Sequence, residues 1–253
     1  MHPTLALLPL ALQRPTTPYR VQNRAVPQAF LMRLAPVDPM LLDVVNDAEE
    51  VGIVVRNRLE AAASAAISER GHFSLAIPGG SVMKLLDGTS PIWSDKCTVA
   101  YVNHKAVAMD DAALATHAKA SALFLDEGWA GSQVLTLDGS SDAAAEASSY
   151  EAQLKALAES QLPRNEAGLP VFDLMLLGVG DDGHIGSLYP NRAEVLDVSG
   201  AWVLPVEHKT PGSITMSLPV PAEAHTLVAH PSAVPVSGSP ASNPPSRLTA
   251  PFA

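Results

Sequence analysis

An apolar run that leads directly into a glycine-rich acidic loop is the feature that most constrains the fold of this chain. The run from Leu174 to Leu177 has the length and composition of a strand buried on both faces. The loop sequence GVGDDGHIG follows it, starting at Gly178. Strands buried on both faces occur in parallel sheets covered by helices, and these sheets bind ligands beyond the carboxyl ends of their strands. The sequence therefore predicts an α/β fold with a candidate active-site loop at this position.

The loop places titratable side chains between glycines. Asp181, Asp182 and His184 lie beside Gly180 and Gly183, and glycine permits a positive φ and a close approach to a ligand. A carboxylate beside an imidazole fixes its tautomer and raises its basicity, which suits a general base near neutral pH. We therefore predict that His184 is a general base and that Asp182 orients it. A purely structural turn is the alternative for this segment.

A second glycine turn follows the predicted strand Phe73 to Ile77. Gly79, Gly80 and Ser81 stand there, and a helix is expected to start near Ser81. Free amides at a helix start and a serine hydroxyl favour an anion. The turn matches neither GxxxxGK[ST] nor GxGxxG. We predict an anion site, with an ordinary tight turn as the alternative.

Polar residues also follow the predicted strand Thr98 to Val102. The next residues are Asn103, His104 and Lys105. We predict that His104 or Lys105 contacts an anionic substrate, and a solvated loop start is the alternative for each.

The remaining pattern predicts a scaffold of alternating elements. Helical spacing covers residues 43–69, 112–124 and 142–159, and strands are expected at 134–137, 201–206, 214–218 and 226–229. Gly71 is expected to end the first helix and Ser141 to cap the third. Strands separated by helices predict a mostly parallel sheet covered by helices.

Composition restricts the classes of function. The net charge of −10 argues against a nucleic-acid partner, which requires a basic face. The single cysteine, Cys97, permits neither an internal disulfide nor a cysteine-built metal site. No apolar run approaches the roughly 20 residues that span a bilayer, so no membrane partner is expected.

The two ends of the chain differ from its middle. Residues 1–37 contain four arginines and no acid, which is typical of a transit peptide or of an uninformative tail. Residues 231–253 are rich in Pro and Ser, and we expect them to be disordered. The predicted organisation is therefore an α/β domain at 38–230 between two tails, in a cytoplasmic or plastid protein.

Three motifs in this order resemble those of the 6-phosphogluconolactonases. They are IPGGS, FDLMLLGVGDDGHIGSLYPN and HKTPGSITMSLPV, and the central one resembles the family form GxGxDGHxASLFP. The resemblance covers residues from about 40 to about 230. It implies a Rossmann-like sheet with helices on both faces. It also implies hydrolysis of 6-phosphoglucono-δ-lactone to 6-phosphogluconate, the second step of the oxidative pentose phosphate pathway, with neither cofactor nor metal.

The same resemblance assigns roles to residues. It implies that Gly79, Gly80 and Ser81 lie against the phosphate or sugar, and that Asp182 and His184 lie at the lactone carbon. The predicted substrate contacts also include four further residues: Lys105, His104, Gly180 and Gly183. The expected partner is a small sugar phosphate, and the expected state is a monomer or weak homodimer.

Two departures from the family bear on two alternative functions. Asn103, His104 and Lys105 stand where the family has Asp-Glu-Arg, and the Pro/Ser tail stands where it has a Lys-bearing helix and a final strand. One alternative is an isomerase resembling glucosamine-6-phosphate deaminase, which ammonia release from glucosamine 6-phosphate would reveal. The other is a catalytically weakened paralogue that binds 6-phosphogluconate without hydrolysing the lactone.

Overall fold

Strands and helices alternate along the chain in the computed structural model, which describes residues 6–7, 43–44, 47–225 and 227–231. The strands are β1 (Ala6–Leu7), β2 (Asp43–Val44), β3 (Phe73–Ile77), β4 (Cys97–Tyr101), β5 (Asn103–Lys105), β6 (Gln133–Val134), β7 (Leu174–Val179), β8 (Val203–Val206), β9 (Ser213–Met216) and β10 (Leu227–Pro231). The α-helices are α1 (Ala48–Arg70), α2 (Thr116–Ala120), α3 (Ala143–Ala156) and α4 (Pro219–Glu223). Short 3₁₀ segments cover Ser81–Leu86, Ser94–Lys96 and Ala193–Leu196, and a π-helical turn, Ser121–Leu125, continues α2.

A parallel sheet of five strands is the centre of the fold. Its strand order is β10-β7-β3-β4-β6, and each neighbouring pair is parallel. Two antiparallel sheets accompany it, with the orders β5-β9-β8 and β1-β2. The mostly parallel, helix-flanked sheet predicted from the sequence is confirmed.

The core lies against the two central strands. All five residues of β3 and residues Leu174 to Leu177 of β7 are buried, and the one polar residue among them, Ser74, donates its hydroxyl to Asp173. Helix α1 contributes Val51, Val55 and Leu59 to the same core. Each large aliphatic side chain buried in this way contributes about 1.5–3 kcal/mol to stability.

The ends of the helices follow local chemistry. Asp47 caps α1 by accepting from the amides of Glu49 and Glu50, so this helix begins later than residue 43. Gly71 ends it in a left-handed conformation with φ 81°, as predicted. The prediction that Ser141 caps the third helix is wrong, because Asp142 occupies the cap of α3 and accepts from two amides at 3.0 Å.

The helix expected after the first glycine turn is a single 3₁₀ segment. It spans Ser81–Leu86, and Gly80 rather than Ser81 is its N-cap. The backbone becomes extended at Asp87, and the turn residues up to Pro91 prevent any continuation. The region expected to be one helix at 112–124 is likewise short, with α2 starting at Thr116.

Asn103, His104 and Lys105 form a strand and not a loop. They make up β5, which pairs with β9 in antiparallel register, Asn103 opposite Thr215 and Lys105 opposite Ser213. The chain thus passes from the parallel sheet into the second sheet directly after β4.

The tails assigned to residues 1–37 and 231–253 lie almost entirely outside the described residues. No helix in the described part of the chain combines the length and hydropathy of a membrane-spanning segment.

Candidate active site

The glycine turn after β3 and the acidic loop after β7 leave the same edge of the sheet. Strands β3 and β7 are parallel neighbours, with Leu75 opposite Leu174. Asn103, which follows β4, links the two loops. Its side-chain oxygen accepts from the Gly79 amide at 3.0 Å, and its side-chain nitrogen donates to the Ser187 hydroxyl at 3.3 Å. One side chain therefore spans the gap between the two predicted parts of the site.

His184 and Asp182 form a hydrogen-bonded pair in the second loop. Nδ1 of His184 lies 2.5 Å from Oδ1 of Asp182, which also accepts from the His184 backbone amide at 3.1 Å. The hydrogen bond from His184 is the main cause that lowers the pKa of the Asp182 carboxyl. An ionised carboxylate only accepts, so Nδ1 carries the proton and the lone pair of the neutral ring is on Nε2.

Gly180 and Gly183 serve this pair in two different ways. A Cβ atom at Gly180 would lie 2.1 Å from Cε1 and 2.2 Å from Nδ1 of His184, so the ring occupies the place of a side chain. Gly183 has φ 82° and open space around it, so glycine is needed there for this backbone conformation and not for lack of space. Their amides close the loop by donating to the carbonyls of His184 and Gly180 respectively.

Tyr189 packs on His184 and gathers two further side chains. The ring centroids of Tyr189 and His184 lie 4.6 Å apart with a tilt of 31°. Nζ of Lys209 lies 3.6 Å from the Tyr189 centroid, and the His208 ring meets Tyr189 edge-on at 5.0 Å. No role was predicted for these three residues from the sequence. The sequence did contain an indication of their importance, because His208 and Lys209 are the first two residues of the third family-like motif, HKTPGSITMSLPV.

The glycine turn differs from the predicted anion site. The Gly79 amide is donated to Asn103, and Gly80 has φ 93°. Ser81 is exposed at the start of a 3₁₀ segment of six residues, which is too short to supply a helix dipole. Any anion bound there would have to be held by the loop itself.

His104 does not reach the site. It is fully buried; its Nδ1 donates to the Lys105 carbonyl at 2.7 Å, and its Nε2 accepts from the His117 amide at 3.0 Å. Burial is the main cause that lowers its pKa. The prediction that His104 contacts substrate is corrected, because both ring nitrogens are used inside the protein. Lys105 is exposed and shares a face of β5 with Asn103.

A separate concavity lies beside the π-helical turn. Thr89, Ser90, Asp126 and Glu127 are among its lining residues. It contains no imidazole, and it lacks the base and carboxylate pair of the loop after β7. Among the described residues, no three His, Cys, Asp or Glu side chains are grouped so that they could hold a metal ion.

The chain matches a known protein family. Residues 46–249 match the family of glucosamine-6-phosphate isomerases/6-phosphogluconolactonase. The chain belongs to this family. The match extends beyond residue 230, where the motif resemblance ended.

Relatives within this family carry the lactonase name. The chain is 34% identical over 201 residues to the Probable 6-phosphogluconolactonase of Schizosaccharomyces pombe, covering 73% of this chain and 74% of that protein. It is 27% identical over 207 residues to the 6-phosphogluconolactonase of Rattus norvegicus, covering 77% and 78%. A rice relative (Oryza sativa subsp. japonica) named Probable 6-phosphogluconolactonase 3, chloroplastic, is 32% identical over 173 residues, covering 63% of this chain and 52% of that protein.

Solved structures of the family share the fold. The 6-phosphogluconolactonase of Shewanella baltica superposes with a TM-score of 0.59 at 21% identity, covering 70% of this chain and 75% of that one. The enzyme from Trypanosoma brucei superposes with a TM-score of 0.57 at 24% identity, with the same coverage.

Proposed function

We propose that this family member hydrolyses 6-phosphoglucono-δ-lactone to 6-phosphogluconate, as part of the oxidative pentose phosphate pathway. The observation that carries the proposal is the pair of His184 and Asp182, joined at 2.5 Å, on the loop that Asn103 ties to the glycine turn. Relatives that carry the lactonase name over most of their length support the same activity.

His184 is the proposed general base. Asp182 holds the proton on Nδ1, so Nε2 takes a proton from water as the water oxygen attacks the lactone carbonyl carbon. The tetrahedral intermediate then collapses, the bond from the carbonyl carbon to the ring oxygen breaks, and the ring oxygen receives the proton from Nε2. Backbone amides of the two loops stabilise the oxyanion in this proposal. The amides of Gly79, Gly180 and Gly183 already donate hydrogen bonds within the protein, so other loop amides would stabilise the oxyanion.

Two lysines and the glycine turn are the proposed partners of the phosphate. Lys209 lies against Tyr189, next to the base, and Lys105 lies on the face of β5 that carries Asn103. Gly80 and Ser81 complete the proposed contacts. A lysine ammonium attracts a phosphate as a point charge, without the paired donors of an arginine.

The deaminase alternative lacks a group that its chemistry requires. The family's carboxylate after the second strand is Asn103 here, and an amide cannot act as a base. No structural observation favours the alternative of a binding protein without activity.

One panel of assays on the wild-type protein tests the proposal. Lactone consumption should exceed spontaneous ring opening, and glucosamine 6-phosphate should release no ammonia. Lactone consumption at the spontaneous rate would reject the proposal. Binding of 6-phosphogluconate in that case would favour the binding protein, and ammonia release would favour the deaminase.

Three further proposals concern the context of the enzyme. We infer an α/β domain at 38–230, a monomer or weak homodimer without nucleic-acid partners, and a cytoplasmic or plastid location. Sedimentation of the purified protein tests the oligomeric state, and imaging of a full-length fluorescent fusion tests the location.

A further inference from the structure

A partly buried imidazole packs on the Tyr189 ring and has a partly buried carboxylate beside it. Glu194, in the 3₁₀ segment Ala193–Leu196, and His208, which follows β8, approach to 3.8 Å between Oε1 and Nδ1. Their side chains are 18% and 15% exposed. We propose that Glu194 and His208 are positioning residues for His184, because together they brace the Tyr189 ring against the imidazole of the base.

One polar atom of each side chain is left unsatisfied within the described part of the chain. Oε2 of Glu194 and Nδ1 of His208 are buried without a hydrogen bond. A buried polar atom left unsatisfied destabilises the fold, and more so if it is charged. Nδ1 of His208 lies 3.8 Å from Oε1 of Glu194, so a closure of less than about 1 Å brings it to hydrogen-bond distance of that oxygen and gives Nδ1 an acceptor. The proposed hydrogen bond to Glu194 fixes the position of the His208 ring.

His208 passes this constraint to Tyr189. The two rings meet edge to face, with centroids 5.0 Å apart and an interplanar angle of 87°. Edge-to-face contacts of this kind are stabilising beyond their buried area and restrict the rotation of both rings.

His184 needs such a support. Its hydrogen-bonded partner, Asp182, is 58% exposed. An exposed pair of this type is weakened by solvent screening and cannot alone hold a ring in one orientation. The ring also packs over Gly180, and its face lies against Tyr189, whose ring centroid is 4.6 Å away. The orientation of the base therefore depends on how firmly Tyr189 is held.

A kinetic double-mutant cycle tests this series of contacts from Glu194 to His184. This kinetic test rests on the proposed lactonase activity. Glu194→Ala should lower kcat about tenfold with KM within about twofold, since small displacements of a base are costly. Glu194→Gln should restore most of kcat, because its amide oxygen still accepts from Nδ1. In a Tyr189→Leu background, Glu194→Ala should change kcat by less than about twofold, since the effect acts through Tyr189. Independent, multiplicative effects would overturn the proposal.

A spectroscopic arm does not depend on turnover. The ring-proton resonances of His184, assigned by their loss in His184→Ala, should move in Glu194→Ala towards their positions in Tyr189→Leu. The spectra are compared at a fixed pH of about 9, where ordinary imidazoles are neutral. Unmoved resonances would overturn the bracing role even if the lactonase activity is established. A shift in a protein without lactonase activity would support bracing while rejecting the proposed function.

Two further variants keep the test decisive. Glu207→Ala removes an exposed carboxylate next to His208 in sequence and should leave kcat and the His184 resonances unchanged. If Glu194→Ala does not fold, His208→Asn breaks the same contact from the other side and should give the same changes in kcat and resonances. A folded His208→Asn protein with wild-type values of both would contradict the proposal.

Discussion

Gly180→Ala disturbs the proposed base without removing any catalytic side chain. The added Cβ would lie 2.1 Å from Cε1 of His184, whereas ordinary contacts begin at 3.4 Å. The ring must therefore retreat by about 1.3 Å, because carbon atoms do not approach closer than van der Waals contact. A displacement of about 1 Å at a reacting group costs about 10²-fold in rate. That loss corresponds to about 2.7 kcal/mol in the activation barrier.

The assay measures initial rates of lactone hydrolysis, corrected for spontaneous ring opening, together with the melting temperature. We expect kcat to fall about 10²-fold while KM changes little, because the phosphate contacts lie elsewhere. The melting temperature should hardly change, since the His184 side chain is 30% exposed and its ring can swing into solvent.

Gly168→Ala is the matched control. Gly168 has φ 77° with nothing within 4 Å of an added Cβ, so the substitution strains only the backbone. It should cost about 1–2 kcal/mol of stability and leave kcat unchanged. A folded Gly180→Ala protein with kcat within twofold of wild type would refute the position assigned to the His184 ring.

Three further predictions concern the surroundings of the base. Ser81→Asp should raise KM several-fold with little change in kcat, because like charges repel, whereas Ser160→Asp, exposed and outside the proposed site, should change neither value. Asn103→Ala should raise KM and cost about 1–3 kcal/mol in urea unfolding, because the link between the two loops is lost. His104→Phe should reduce the loss of unfolding free energy that occurs as the pH falls below about 6.5. His225→Gln, at an exposed position, is the control and should not reduce this loss.

The sign of the pH effect follows from the burial of His104. Its pKa is lowered in the folded protein, so the unfolded chain binds the proton first as the pH falls. The contribution to stability is complete above the ordinary imidazole value of about 6.5 and is lost from there down to the lowered pKa. The slope is at most about 1.4 kcal/mol per pH unit for this one group. An unchanged KM in Ser81→Asp, wild-type values in Asn103→Ala, or an unchanged acid slope in His104→Phe would each contradict its prediction.

Local sequence predicted the parts of the fold that local forces decide. The apolar runs of β3 and β7 and the C-cap at Gly71 follow from burial and from glycine's backbone freedom. The helix expected after β3 is only a 3₁₀ segment, Ser81–Leu86, and turn residues from Asp87 to Pro91 follow it.

Contacts between distant segments account for what was missed. β5 exists because residues 103–105 pair with residues 213–215, and that pairing also buries His104. The role of Gly180 depends on where the His184 ring packs, which no glycine pattern reveals. Tyr189, Glu194 and His208 meet only once the segment after β7 folds against the turn after β8.

The most direct test of the central claim compares wild type with His184→Ala at saturating 6-phosphoglucono-δ-lactone, after both proteins have been shown to be folded. We predict that wild type exceeds the spontaneous rate and that His184→Ala loses about 10²–10⁴-fold of the enzymatic rate, falling to the background. A His184→Ala protein that hydrolyses the lactone at the wild-type rate would contradict the assignment of His184 as the base.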